Sequence, residues 1–220
     1  MWAVVVAAGH GSRLGGDVPK QFLDVAGRRV VDWSLDVVTP AAAATVLVVP
    51  PGHREPVRPE GIDVRVVDGA DTRSGSVRCG LAALDELASD TDIVVVHDAA
   101  RPLATPALVD AVVDAVAAGA DAAVPAVAVA DTLKRVDADG RVVGTVDRDG
   151  LVSVQTPQAF RVGALRAAHR GAPEATDDAG LIEANGGVVV VVPGEVANRK
   201  VTVPGDLDAV GETLRSGARR

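Results

Sequence analysis

Short Val-rich runs recur along this chain and dictate its architecture. They are Trp2–Ala7, Thr45–Val49, Ile62–Val67, Asp92–His97 and Val188–Val192. Apolar runs that continue without a polar alternate suit strands covered on both faces, as in a parallel sheet. Between them lie helical patterns: Val30–Val38, Arg73–Ala88, Pro106–Ala118, Asp177–Ala184 and Gly205–Leu214. In the second of these, Val77, Leu81, Leu84 and Leu87 fall at helical spacing. In the third, Thr105 stands as N-cap and Pro106 at the first helical position. The alternation predicts a three-layer α/β fold: a doubly wound, mainly parallel sheet with right-handed crossovers. Aromatics are 2% of residues and Tyr is absent, so Val, Ala and Leu must fill the core.

One stretch breaks the rhythm. Thr132–Val136 and Arg141–Val146 are short alternating runs around Asp137-Ala138-Asp139-Gly140, and the Asp-Gly turn predicts a β-hairpin within residues 131–146. A lone hairpin is barely stable in water. It either forms an arm packed on a second subunit or folds back on its own domain. The 220 residues otherwise suit a single domain, 1–220, with Pro50–Pro59 as one surface loop.

Several classes fall away on composition. Hydrophobic residues make up 48% of the chain, too many for a disordered protein. The longest apolar runs fall far short of the roughly 20 residues that a membrane span needs. The start lacks the basic and apolar segments of a signal peptide, and Cys79 is the one cysteine. A cytoplasmic location is therefore expected. The formal net charge of −8 argues against a nucleic-acid partner, but a small anionic substrate needs only a local cluster of positive charge. Lysine is scarce: Lys20, Lys134 and Lys200 are the only three. Either the three survive by chance, or they mark places where arginine, a planar fork rather than a mobile point charge, is not an equivalent.

The first run feeds Ala7-Ala8-Gly9-His10-Gly11-Ser12-Arg13-Leu14-Gly15-Gly16. A Gly-rich turn after a strand brings backbone N–H groups together as a nest for phosphate oxygens. It is not a P-loop, because Gly-Lys-Ser/Thr is missing, and Leu14 stands where the dinucleotide fingerprint needs a third Gly. Arg13 lies in the loop and Pro19-Lys20-Gln21-Phe22 closes it, so two cations can face a polyphosphate. Asp98 follows the fourth run, at the carboxyl edge where open α/β sheets bind ligands. It either caps a turn before Pro102 or contacts a sugar, a ribose or hydrated Mg²⁺.

Four motifs together carry a resemblance. They are Ala7–Phe22, His97-Asp98-Ala99-Ala100-Arg101-Pro102, Thr145-Val146-Asp147-Arg148 with Gln155-Thr156-Pro157-Gln158-Ala159-Phe160, and Asn198-Arg199-Lys200-Val201-Thr202. In this order the chain resembles, from about Val4 to Leu214, the 2-C-methyl-D-erythritol 4-phosphate cytidylyltransferase family of sugar-nucleotide-type nucleotidyltransferases. The resemblance implies transfer of CMP from CTP to methylerythritol phosphate, with release of pyrophosphate. The acceptor phosphate is already ionised at neutral pH, its second pKa being about 6. No general base is then needed, and catalysis rests on positioning and charge stabilisation.

By that resemblance Arg13 and Lys20 stabilise charge at the α-phosphate, while Arg148 and Lys200 hold the acceptor. Ala7, Ala8, Gly9, Gly11, Ser12, Gly69, Ala70, Asp71, Asp98 and Ala99 contact the nucleotide, with Ser76 reading cytosine. The family often carries Gly where Ala70 stands, so a methyl group narrows the base pocket here. Thr156 and Thr176 join Asp98 on the acceptor, and Arg101 and Thr132 reach into a neighbouring subunit's site, making the protein a homodimer. Mg²⁺, or another divalent cation, enters with the CTP phosphates and has no direct protein ligand set. Lys134 stays without a role, His10 is tolerated in its loop, His97 is structural and Cys79 is a small buried filler. Three alternatives stay open: ribitol 5-phosphate cytidylyltransferase, a catalytically silent nucleotide-binding protein and a dinucleotide-dependent dehydrogenase.

Overall fold

A computed structural model describes residues 1–9, 18–53 and 64–217. In chain order the elements are β1 (Trp2–Val6), β2 (Asp24–Val25), β3 (Arg28–Arg29), α1 (Val30–Val38), β4 (Thr45–Val49), β5 (Val64–Asp68), α2 (Arg73–Ala82), β6 (Ile93–Asp98), α3 (Pro106–Ala117), β7 (Ala122–Ala128), β8 (Leu133–Val136), β9 (Val142–Val146), β10 (Val152–Val154), β11 (Gln158–Arg161), α4 (Val162–Ala168), α5 (Asp178–Ala184), β12 (Val189–Pro193) and α6 (Pro204–Arg215). A short 3-10 turn, Lys20–Phe22, precedes β2.

The main sheet is mainly parallel, as expected. β1 lies between β4 and β6, β4 pairs β5, and β12 pairs β7, all in parallel. β11 runs antiparallel between β6 and β7, and β10 also pairs β7 antiparallel. Alternate residues of the central strands enter two different cores. Ala3, Val5, Leu47, Val49 and Val95 pack with α1 and α3 residues such as Leu35 and Val112. Val4, Val46, Val48, Val94 and Val96 pack with Val77, Leu81, Leu165 and Ile182 from the opposite layer. Both faces of each strand are apolar because both are covered, which is why the runs are continuous rather than alternating.

Two local differences have physical causes. The helix predicted over Arg73–Ala88 ends at Ala82, and bonds spanning three residues, Leu84 N–H to the Leu81 carbonyl and Leu87 N–H to the Leu84 carbonyl, carry the chain on. The spacing Leu81, Leu84, Leu87 is a repeat of three, that of a 3-10 turn. β7 has no counterpart in the sequence reading. Its Ala-Ala-Val-Pro-Ala-Val-Ala composition has low strand propensity, and Pro125 lacks the N–H that a ladder uses. Pairing on both of its edges overrides both handicaps.

A third core joins Val25, Val30, Ala100, Leu103, Val201 and Val210. It docks α6, and the Asn198–Thr202 segment before it, against the exit of β6. The hairpin β8–β9 forms as a separate two-stranded sheet, outside the main one. Among the described residues no helix is long and apolar enough to cross a membrane.

Candidate active site

Sheet register brings the site together. Val6 pairs with Asp98, so the chain leaves β1 at Ala7-Ala8-Gly9 beside the exit of β6. The Ala99 N–H bonds the Val6 carbonyl at 3.0 Å, and the Ala7 N–H bonds the Val48 carbonyl at 2.7 Å. Gly69 follows β5, and a Cβ there would stand 2.5 Å from the Ala8 Cβ and 2.9 Å from Ser76 Oγ. Only glycine lets these two strand exits approach so closely. Thr72 then caps α2 by accepting from the Gly75 N–H at 3.0 Å.

One half of the resulting cleft is lined by Ala7, Ala8, Gly9, Lys20, Ala70, Asp71 and Ser76 among others. The other half is lined by Arg101, Gln155, Thr156, Gln158, Thr176 and Asp177. Arg73, Asp98 and Lys200 border both halves. Gln21 is buried and donates to the Ala7 carbonyl and, at 3.0 Å, to the Gly9 carbonyl. It thereby pins the Lys20 turn to the exit of β1.

The segment carrying Lys200 is tied down from several directions. The Val201 N–H bonds the Ala100 carbonyl at 2.8 Å, and Lys20 Nζ donates to the Val201 carbonyl at 2.6 Å. Arg101 Nη1 donates to the Asn198 carbonyl at 2.8 Å, and Asn198 Nδ2 to the Thr156 carbonyl at 2.9 Å. Lys200 Nζ then sits 2.6 Å from Asp98 Oδ2, with Arg73 Nε at 3.4 Å from Oδ1.

Asp98 is buried. Burial alone works to raise its carboxyl, but Lys200, Arg73 and Arg101 outweigh it and hold the group well below the usual carboxylate range. Burial also works to lower the Arg73 guanidinium, yet the charges of Asp98 and Asp178 leave it raised. Burial and the neighbouring Arg73 push Arg101 down against the pull of Asp98. The Asp98 N–H donates to Thr156 Oγ1 at 3.0 Å, and that oxygen lies 3.2 Å from His97 Nδ1. His97 Nε2 faces the Arg101 carbonyl at 3.2 Å, so this fully buried imidazole braces the loop, as a structural residue should.

Several placements depart from expectation. Arg13, Gly11, Ser12 and His10 lie outside the described residues. Arg101 is half-buried, lines the second half of the cleft and donates to the Asn198 carbonyl of its own chain. Arg148 and Thr132 do not line either half. Arg148 is exposed beyond β9, with its guanidinium on the Val129 and Ala130 carbonyls, and Thr132 is exposed at the base of the arm. Gly69 and Ala99 line neither half; the buried Ala99 carbonyl accepts from Ser34 Oγ at 2.8 Å. Lys134 donates to Thr145 Oγ1 at 2.6 Å within the hairpin. Cys79 is half-buried in α2. Arg73 and Gln21 were given no role from the sequence, although Gln21 lies inside the Ala7–Phe22 motif and Arg73 opens the helix predicted over Arg73–Ala88. The available signal was their place next to Asp71 and Lys20.

Fixed positive charge around one buried carboxylate, at the carboxyl edge of an open sheet, suits transfer of a phosphoryl-linked group. The sheet is that of the α/β nucleotidyltransferases. Within that class, the chain belongs to the 2-C-methyl-D-erythritol 4-phosphate cytidylyltransferase (IspD) family, whose profile matches residues 1–216. It is 48% identical over 209 residues to the cytidylyltransferase of that name from Frankia casuarinae, covering 93% of this chain and 77% of that one. It is 45% identical to the Nocardia farcinica protein of the same name, covering 96% and 92%. The bifunctional enzyme IspD/IspF of Clavibacter michiganensis is 46% identical over 98% of this chain, which spans 54% of that longer protein. Among solved structures, the 2-C-methyl-D-erythritol 4-phosphate cytidylyltransferase of Thermus thermophilus superposes with a TM-score of 0.80 at 34% identity. That match covers 96% of this chain and 98% of the other.

Proposed function

We infer that this chain transfers CMP from CTP to 2-C-methyl-D-erythritol 4-phosphate, forming 4-CDP-2-C-methyl-D-erythritol and pyrophosphate. The observation that carries this is family membership over residues 1–216 together with a cleft that gathers Lys20, Arg73, Asp98 and Lys200. The acceptor phosphate attacks the α-phosphorus of CTP in line; the new P–O bond forms as the bond to pyrophosphate breaks. Both reactants are anions, so the chain's work is to hold them together and to stabilise charge on the phosphoryl oxygens. Lys20, with Arg13 from the preceding loop, serves the α-phosphate. The nucleotide lies in the half walled by Ala7, Ala8, Gly9, Ala70, Asp71 and Ser76. Ser76 bonds the Ala70 N–H and carbonyl and the Thr72 carbonyl, and so shapes that loop for the base. Lys200 and Arg101 hold the acceptor phosphate, with Thr156 and Thr176 beside it.

Mg²⁺ fits as an ion carried in by the triphosphate. Among the described residues no three His, Cys, Asp or Glu side chains group around a metal position, and Asp98 is the carboxylate common to both halves. When bound, the ion would neutralise charge on the phosphates and the departing pyrophosphate, with Asp98 as its protein contact. We place the reaction in the cytoplasm, in keeping with a single unpaired Cys79.

The test is pyrophosphate release with CTP, Mg²⁺ and methylerythritol 4-phosphate, with ribitol 5-phosphate as competing acceptor and ATP, GTP and UTP as competing nucleotides. Turnover only with CTP and methylerythritol phosphate is expected. Preference for ribitol phosphate would change the acceptor, and silence with every pair would overturn the reading.

The hairpin supports a homodimer. Val136, Val142 and Val143 are each more than half exposed on it, and Thr132 and Arg148 flank it without reaching their own cleft. A second copy would cover those valines and receive those two side chains. Deleting Thr132–Thr145 is therefore expected to yield monomers by light scattering with turnover reduced at least about tenfold, the loss of one positioned substrate contact. A fully active monomer would refute the shared site.

A further inference from the structure

Arg73 borders both halves of the cleft, yet its tightest partner lies outside either wall. Its Nη1 is 2.7 Å from Asp178 Oδ2, whereas its Nε is 3.4 Å from Asp98 Oδ1. Asp178 begins α5 and is fully buried. A buried carboxylate is costly unless its oxygens are taken up, and both are: the second, Oδ1, lies 2.9 Å from His169 Nε2. An ionised carboxylate only accepts, so Nε2 carries the proton of that bond. Nδ1, the other ring nitrogen, is buried and has no hydrogen-bond partner among the described residues. The chain of contacts runs Lys200, Asp98, Arg73, Asp178, His169, from the cleft into the layer behind it.

We propose that Asp178, oriented by His169, is a positioning residue that holds Arg73 across the junction of the two half-sites, where the guanidinium contacts the reacting phosphates. Arginine and a carboxylate otherwise close into a bidentate pair. Freed from Asp178, Arg73 would fold fully onto Asp98 and compete with Lys200 for it. Both cations would then leave their working positions although neither had been mutated. The anchor is thus a device for sharing one carboxylate between two cations. This proposal rests on the functional reading above.

Three variants test it: Asp178→Asn, Arg73→Gln and the double variant, each assayed for kcat, KM for CTP and thermal unfolding. Asp178→Asn is expected to lower kcat about ten- to a hundredfold, as a displaced positioning group does, with KM for CTP within about threefold. Because Asp178 acts through Arg73, the double variant should be no slower than Arg73→Gln by more than about twofold. Losses that multiply would mean a general structural role and would overturn the proposal. Should Asp178→Asn fail to fold, His169→Gln keeps an N–H donor for Asp178 and His169→Leu removes it. The first should retain kcat and the second lose it severalfold; equal activities would overturn the proposal. Wild-type turnover with a fully active Asp178→Asn would overturn this inference alone, whereas an inactive parent would take down the functional reading and this one with it.

Discussion

Replacing Lys20 with alanine is expected to lower kcat by roughly 10²–10³, the cost of losing one preorganised charge at a transition state, with KM for CTP within about threefold. The geometry explains the asymmetry. Lys20 sits on a 3-10 turn held by Gln21 to the exit of β1, and its ammonium rests on the Val201 carbonyl at 2.6 Å. It is therefore placed beside the Lys200 segment before substrate arrives, and its charge matters most when negative charge grows on the phosphoryl oxygens. In the proposed function, nucleotide binding is spread over backbone groups that the substitution leaves in place. Lys20→Arg should recover little, because a planar fork does not reproduce a point charge on a flexible stem. Steady-state kinetics with both variants check this; a Lys20→Ala enzyme within threefold of wild type would remove Lys20 from the chemistry.

The second large effect is at Asp98. Asp98→Asn leaves Lys200, Arg73 and Arg101 around a neutral amide, so three cations repel one another in a partly desolvated cleft. Breaking a buried pair in this way costs on the order of 3–5 kcal/mol, and turnover should fall with it as Lys200 and Arg73 lose their common partner. The pH dependence has a definite sign. The folded carboxyl lies below its unfolded value, so its contribution to stability is complete above the ordinary carboxylate range of about 4. It is lost as pH falls from there through the folded value. Thermal unfolding from pH 7 to 3 should show a constant gap between wild type and Asp98→Asn down to about pH 4, then a narrowing gap below it. A gap that stays constant to pH 3, or widens there, would mean that Asp98 is not held by these cations.

Much of the molecule was legible in the residues. Continuous Val runs mean strands covered on both faces, and the two cores take alternate residues of β1, β4 and β6 as that reading requires. Thr105 and Pro106 mark the start of α3 because capping is a local matter. The scarcity of lysine pointed to the cleft, since two of the three lysines border it.

Long-range arrangement was not legible. Nothing local to Ala122–Ala128 predicts a strand, and its pairing partners lie 24 to 67 positions away in β10, β11 and β12. Lys20 meets Val201 across 181 positions, and Arg73 meets Asp178 across 105. Their motifs could name the residues but not the contacts. The sequence alone determined the class of fold, the strand edge at which the cleft forms and the kinds of side chain gathered there, because these follow from periodicity, backbone geometry and charge. Tertiary structure alone decided that Arg101 lines the cleft beside Asn198, that Arg148 stands apart from it, and that Arg73 meets a buried Asp178. The contacts of Arg101 and Arg73 depend on which distant segments share a partly desolvated space, where an unpaired charge is too costly to leave unmet.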